Sequence, residues 1–436
     1  MNITTPRIPS GFNEYLPAEQ IEFNRLLDII RTTYEKYGFA PLDTPVLELS
    51  EVLLAKGGGE TEQQVYRFER GRNDLTMRYD LTVPLARYVA QHEGVLSFPF
   101  RRYQVGKVYR AERAQAGRFR EFYQCDIDVI GSNSPIVDAE FPAIINEIFE
   151  QFGFGEFTIR LNNRLLLNGF FEGIGLAEVS REVLRVIDKM EKISRHALIA
   201  ELKTVGLTDK QVARVLEFTE IQGDNDVVLA RLGGLGIETD DFVVGLSNLR
   251  MLIDALRGMR IPESRYAIDL KIARGLDYYT GTVYETVLDD YPNIGSVCSG
   301  GRYDNLASNY TKTQLPGVGI SIGLTRLFYK LLEAGVVKPA QQSLARAVVM
   351  PMGESELAWS LEVVAVLRKA GVAAILNTEP TGLGKKFKYT DKLGIRYAVV
   401  IGEQEIARET VTVKDLQSGD QSEMSLTQLV ELLLDS

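Results

Sequence analysis

The run FRRYQVGKVYRAERAQAGRFREFYQCDIDVIG, from Phe100 to Gly131, decides how the rest of the chain is read. It scans as a long antiparallel hairpin. Strand-like runs, roughly Arg102 to Arg110 and Phe119 to Ile130, flank a charge-rich connection built from Ala114, Gln115, Ala116 and Gly117. Side chains alternate across a strand, so Tyr123, Cys125, Ile127 and Val129 share one face while Gln124, Asp126 and Asp128 share the other. Arg102, Gln104 and Arg110 form the corresponding polar set on the first run. Two readings of that polar face stay open. It is either a solvated surface with cross-strand ion pairs, or a covered one whose acids meet a guanidinium or a ligand, because burying unpaired carboxylates is expensive.

Working outward, 436 residues with 45% apolar and 25% charged content describe a globular chain long enough for two or three domains. The N-terminal MNITTPRIPSGFNEYLP has no basic segment followed by an apolar run, and no window has the apolar length of a spanning helix, so a cytoplasmic protein with no membrane partner is expected. Cys125, Cys298, His92 and His196 are the only cysteines and histidines. They are too few for a zinc site and neither histidine lies in a nucleophile motif, so no resident metal is expected and the chemistry rests on Arg, Asp, Glu, Gln, Thr and Tyr. A net charge of -10 argues against a generic polyanion binder, although the hairpin itself is locally basic.

Residues 18 to 37 carry apolar positions at helical spacing and close on Gly38. Asp80-Leu-Thr82 precedes Val83-Pro84-Leu85 and is by itself an ordinary helix-capping pair. Ser134-Pro135 opens a helix to about Phe152, Phe157 to Asn162 is strand-like, and 178 to 255 is helical with an interruption at Gly233-Gly234. Gly300-Gly301-Arg302-Tyr303-Asp304 scans as a glycine-rich turn. After the polar linker Val337-Lys-Pro-Ala-Gln-Gln-Ser, strands and helices alternate, which predicts a small α/β domain with a mostly parallel sheet. Lys385, Lys386, Lys388 and Lys392 make one of its helices basic, either as a binding face or as a solvated one.

These stretches also carry a family resemblance. Arg110-Ala111-Glu112 resembles motif 2 of class II aminoacyl-tRNA synthetases, and Gly117 to Asp126 is similar to the histidyl branch. Pro45 resembles the motif 1 proline, Pro316 to Leu327 resembles motif 3, and Ala273-Arg-Gly-Leu-Asp-Tyr-Tyr-Thr-Gly-Thr-Val-Tyr-Glu285 resembles the histidyl signature.

The resemblance implies an α+β catalytic domain with an antiparallel sheet over 1–330, a helical insertion at 178–255, a linker at 331–344 and an α/β anticodon-binding domain at 345–436. The implied activity joins L-histidine to tRNA-His through an adenylate, with ATP and Mg2+, in a homodimer formed around Pro45. By the same resemblance Arg110 and Arg274 are catalytic at the α-phosphate, and Arg110, Glu112, Arg118 and Arg326 hold ATP. Asp80, Thr82 and Gln124 surround the α-amino group, while Asp128, Tyr278, Tyr279, Gly300 and Gly301 shape the imidazole pocket. From their position in or near the hairpin connection, at the mouth of the implied site, Gln115 and Arg120 are expected to touch the tRNA acceptor end. The rival readings are a non-catalytic regulatory paralogue of ATP phosphoribosyltransferase, an RNA-binding accessory protein, and a synthetase for another amino acid. The C-terminal domain and the intact Arg-Gly-Leu-Asp-Tyr-Tyr run speak against the first, since such paralogues typically lack the one and blur the other.

Overall fold

The computed structural model describes residues 3–55, 64–112, 117–190, 193–272, 279–304 and 307–435. Arg274, Tyr278 and Gln115 therefore lie outside the described residues. The chain divides into two compact units, one of residues 1–13 and 27–336 and the other of residues 14–26 and 337–436.

The larger unit is built on an eight-stranded sheet. In chain order its strands are β1 (Ala40–Pro41), β5 (Phe100–Tyr109), β6 (Glu121–Ile130), β7 (Phe157–Asn163), β8 (Tyr266–Ile268), β9 (Thr282–Leu288), β10 (Ser296–Tyr303) and β11 (Gly317–Ile322). Between β1 and β5 lie β2 (Leu47–Leu49), β3 (Arg67–Arg70) and β4 (Asn73–Met77), which pair among themselves in the order β2-β4-β3. The large sheet runs β1-β5-β6-β11-β10-β9-β7-β8. All its inner pairings are antiparallel, and only the two edge pairings, β1 with β5 and β7 with β8, are parallel. The hairpin expected at Phe100–Gly131 is its β5–β6 pair, with Arg102 opposite Asp128 and Gln104 opposite Asp126.

Register across six strands sorts the two faces. Tyr103, Ile127, Ile320, Gly300, Tyr284 and Leu161 lie side by side on one face. Helices cover it. Tyr34 packs on Tyr103 with ring centroids 5.9 Å apart, and Phe141 of helix Glu140–Phe152 stacks on Tyr284 at 6.1 Å. On the other face the aligned rows are Gln104, Asp126, Ser321, Ser299, Glu285, Arg160 and then Arg102, Asp128, Gly319, Gly301, Val283, Asn162. A row of polar side chains crossing a whole sheet gives up apolar burial that a purely structural sheet would keep. The described residues between Arg164 and Gly258 form a succession of helices, with Phe170 and Phe218 stacked at 3.9 Å between centroids.

The smaller unit contains β12 (Ala347–Pro351), β13 (Ala374–Leu376), β14 (Tyr397–Ile401), β15 (Thr410–Asp415) and β16 (Gln421–Ser425), ordered β13-β12-β14-β15-β16. The first three are parallel, as the alternating strand and helix pattern requires, while β14, β15 and β16 pair antiparallel. Alternate residues of β12 point to opposite cores: Ala347 and Val349 join Val363, Leu367 and Leu433, whereas Val348 and Met350 join Ile395 and Leu383. One expectation fails here. Lys386 is not part of a basic surface, because it is buried and its Nζ donates to the carbonyls of Pro351 at 2.9 Å and Asn377 at 3.1 Å.

Candidate active site

The site grows from the polar face where β5, β6, β11 and β10 lie side by side. Arg102 and Asp128 face each other across the hairpin, and their side chains meet with Nη2 2.6 Å from Oδ2. Arg102 is 0% exposed and Asp128 4%, so the solvated reading of this face is replaced by the covered one. A buried pair gains from further hydrogen bonds to its remaining lone pairs. Here the Tyr303 hydroxyl donates to Asp128 Oδ1 at 2.6 Å, while Arg102 Nε and Nη1 are buried without a hydrogen-bond partner. Burial raises the Asp128 pKa, while the Arg102 charge and the Tyr303 bond oppose the shift.

The carboxylate has room because Gly319 lies directly across from it on β11. A Cβ at Gly319 would fall 2.6 Å from Asp128 Cγ, closer than carbon atoms approach. Gly301 does the same for Tyr279, whose ring carbons would lie 2.8 and 2.9 Å from an added Cβ. Tyr279 is pushed well above the usual phenol range, first by burial and then by the charges of Asp128 and Asp126, so it remains a donor at neutral pH. Gly300 belongs to the opposite face, where an added Cβ would meet Ile320 Cα at 2.6 Å. Of the two glycines, only Gly301 turns its Cα toward the polar face.

Further along β6, Gln124 Nε2 donates to Ser321 Oγ at 3.0 Å, and Gln124 Oε1 is buried without a hydrogen-bond partner. Asp80 stands at the start of helix Thr82–His92, where its Oδ1 accepts the Val83 N–H at 3.0 Å, so the capping role read from the sequence is real. Its pKa is raised by burial and pulled back by that bond and by the charges of Arg110 and Arg102. Asp80 therefore belongs to the same electrostatic cluster as the two arginines. Thr82 is the first residue of the helix and half-buried.

Arg110 follows β5. Its Nε donates to the Tyr79 carbonyl at 3.0 Å, and its guanidinium carbon lies 5.1 Å from the centre of the Phe122 ring. Anchoring one edge on a carbonyl and one face on an aromatic ring fixes the plane of the guanidinium while its outer edge can face an anion. Arg118 pairs with Glu112 at 3.4 Å and is exposed. Arg120 is committed locally: its Nε donates to the Glu112 carbonyl at 2.9 Å and its Nη1 to Ser10 at 3.2 Å. Arg326, on helix Leu324–Glu333, is exposed and donates to the Ile294 carbonyl at 3.3 Å. Its neighbour Thr325 accepts the Tyr123 N–H at 2.8 Å, which ties that helix to the start of β6.

Sequence reading missed the importance of Arg102, Gly319 and Ser321. Arg102 carried a signal, being in alternating phase with Gln104, but Gly319 and Ser321 reach Asp128 and Gln124 only through strand pairing across nearly two hundred residues. Arg302, adjacent to the glycines, is a structural anchor. It bonds Asp138 and the carbonyls of Ser132 at 2.7 Å and Ser134 at 3.0 Å. Among the described residues no group of three His, Cys, Asp or Glu side chains could hold a metal ion.

Comparison with known proteins gives the family. Residues 11–327 match the family described as Histidyl-tRNA synthetase, and residues 346–436 match the one described as Anticodon binding domain. The chain is 53% identical to the histidine–tRNA ligase of Clostridium tetani over 435 residues, covering 99% of each. It is 48% identical to that of Xanthomonas axonopodis pv. citri, with 98% of this chain and 95% of the relative covered. A solved histidyl-tRNA synthetase from Nostoc sp. PCC 7120 superposes with a TM-score of 0.93 at 43% identity, covering 100% of this chain and 99% of that one. With a catalytic-domain match over most of its length and relatives aligned end to end, the chain belongs to the histidyl-tRNA synthetase family.

Proposed function

We propose that this chain performs the ligation of histidine to tRNA on the polar sheet face, in two steps. Histidine carboxylate attacks the α-phosphate of ATP to give histidyl adenylate and pyrophosphate, and the acyl group then passes to the terminal ribose of tRNA-His. The observation that carries the reading is the buried Arg102–Asp128–Tyr303 corner beside Gln124, a cradle of acceptors and donors under cover. Such groups reject an apolar side chain, which would leave them unpaired.

The attacking carboxylate is already an anion at neutral pH, so the first step needs alignment and charge neutralisation rather than a strong base. Arg110, held by Tyr79 and Phe122, is suited to the α-phosphate. Arg274 is assigned to its other side by its place in the histidyl signature. Glu112, Arg118 and Arg326 are assigned to the nucleotide. Mg2+ fits as a companion of the ATP phosphates rather than a protein-held ion, since it commonly binds through phosphates with one or two carboxylates; bound there, it supplies charge neutralisation.

Asp80, Thr82 and Gln124 would receive the α-ammonium, and Asp128 with Tyr279 the imidazole, Tyr278 and Gly301 completing the pocket, while Gly300 is left to the apolar face. Gln115 and Arg120 are assigned to the acceptor end of tRNA-His. Arg120's two carbonyl bonds support a role in shaping the hairpin end as well. The C-terminal unit is assigned to the anticodon. A homodimer through the motif 1 region around Pro45 is supported by Val46, Leu47 and Leu49, exposed at 37%, 43% and 43% on and beside an edge strand. No helix among the described residues is long and apolar enough to cross a membrane, in keeping with a cytoplasmic enzyme.

The test is ATP–pyrophosphate exchange with each of the twenty amino acids, followed by charging of bulk tRNA. Only histidine should support both; exchange with none would favour the regulatory paralogue. Within that assay, Asp128→Asn, which spares the fold a bare Arg102, should raise the histidine KM at least tenfold and leave the ATP KM unchanged. An unchanged histidine KM would remove Asp128 from the pocket.

A further inference from the structure

Asp126 has no part in the assignments above. It sits on β6 midway between Gln124 and Asp128, on the same face as both, and is 3% exposed. Its Oδ1 has no hydrogen-bond partner. Directly opposite it on β5 is Gln104, whose Nε2 is occupied by Asp43 at 3.0 Å and Thr44 at 3.2 Å and whose Oε1 is likewise buried and unpartnered. Gln124 Oε1 is the third such oxygen. Three orphaned acceptors thus lie on adjacent positions of one covered face, and the Arg102 guanidinium on that face makes no hydrogen bond to any of them.

Leaving each of them unmade is costly, and a group that would satisfy all three must be a donor without acceptors. An ammonium is such a group, with three N–H bonds and a positive charge. We propose that Asp126 is a further substrate-binding residue, whose Oδ1 shares the α-ammonium of histidine with Gln124 and so supplies a second carboxylate beyond Asp80 for that group. The inference rests on the function proposed above and adds a residue to it.

The electrostatics agree with the geometry. Facing Asp126 are Arg102 and Gln104 from β5, Gln124 and Asp128 from β6, Ser321 from β11 and Asp80 from the turn before helix Thr82–His92, with the Tyr279 phenol within its field. Among the described residues Arg102 is the one guanidinium acting on both Asp126 and Asp128, and it shares Asp80 with Arg110. Burial, with Asp128 and Asp80 adding to it, pushes Asp126 up to about 7 against the pull of Arg102 and Ser321. An arriving ammonium supplies the missing positive charge, draws Asp126 into its ionised form and expels the proton that the empty site retains. Burial raises the thiols of Cys125 and Cys298, and the Asp126 charge adds to it, so both stay protonated.

Calorimetric titration at pH 7 in buffers of different ionisation enthalpy tests this, using histidinol, which has the ammonium and the imidazole, and imidazolepropionate, which lacks the ammonium. Wild-type enzyme should release a measurable fraction of a proton on binding histidinol and markedly less on binding imidazolepropionate. Asp126→Asn should bind histidinol about tenfold more weakly, the difference between a charged and a neutral acceptor, lose most of the release, and bind imidazolepropionate as wild type does. Equal proton release for the two ligands on the wild-type protein overturns the proposal without any variant. So does a folded Asp126→Asn protein that binds histidinol within twofold of wild type. An enzyme that binds neither ligand and shows no histidine-dependent exchange would instead sink the functional reading itself.

Discussion

Replacing Gly319 with alanine puts one methyl group against the carboxylate on which histidine selection depends. The added Cβ would lie 2.6 Å from both Asp128 Cγ and the Ile127 carbonyl oxygen, where ordinary contact starts at 3.4 Å. Asp128 Oδ1 would lie nearer still, so something must retreat by more than about 0.8 Å. The carbonyl belongs to the backbone of a central strand paired on both sides and yields little. The Asp128 side chain is the softer of the two, and moving it stretches its contact with Arg102 at 2.6 Å and the Tyr303 bond at 2.6 Å.

Overpacking of this kind costs about 1 to 3 kcal/mol of stability, and loss of one charge-assisted bond to a ligand costs about 1.5 to 3 kcal/mol. In histidine-dependent pyrophosphate exchange, Gly319→Ala should therefore raise the histidine KM roughly 10- to 100-fold, with the ATP KM held within about threefold. Gly300→Ala is the matched control. Its methyl would enter the apolar face against the Gly319 carbonyl oxygen and Ile320 Cα, away from the Asp128 carboxylate, so it should lower the melting temperature more than it alters the histidine KM. A folded Gly319→Ala enzyme with a histidine KM within twofold of wild type would refute the placement of Asp128 in the pocket.

Tyr303→Phe removes only the hydroxyl that donates to Asp128, and should raise the histidine KM about three- to tenfold with little change in ATP kinetics. Asp138→Ala strips the carboxylate from the buried Arg302 guanidinium and leaves it the Ser132 and Ser134 carbonyls; urea unfolding should report a loss of about 3 to 5 kcal/mol, and a loss under 1 would mean the pair is dispensable. Because folded Asp126 titrates at about 7 and an unfolded aspartate near 3.9, the folded state alone holds that proton between those values. Stability should thus fall as pH rises from about 4 to 7, and Asp126→Asn should flatten the slope across that window.

The hairpin was legible because its evidence is local. Period-two alternation from Tyr123 to Val129 places each side chain on a face before any partner strand is known, and the observed β6 obeys it. The parallel core of the C-terminal unit was legible for the same reason, strand and helix alternating in order. The antiparallel return through β15 and β16 was not, since Gln421–Ser425 is a mostly exposed edge with no apolar face to betray it. Lys386 misled because a lysine in a lysine-rich run looks solvated, and only the tertiary fold brings two carbonyls to its ammonium.

The site divides along the same line. Residue types within the hairpin raised the question of a guanidinium beside two carboxylates, but which guanidinium depends on register, and register assigns Arg102 rather than Arg110 to Asp128. Arg110, past the end of β5, is left to Tyr79 and Phe122, and so keeps an edge for an anion that a partner of Asp128 could not offer. That separation has a functional consequence. One arginine is spent on the covered, histidine-facing acids, and another stands a strand's length away for the nucleotide, so changes at Asp128, Tyr303 or Gly319 should act on histidine while sparing ATP. A mutation in either group that weakened both substrates equally would mean that the field Asp80 shares with both arginines couples the two substrates, and the division of labour along β5 would have to be abandoned.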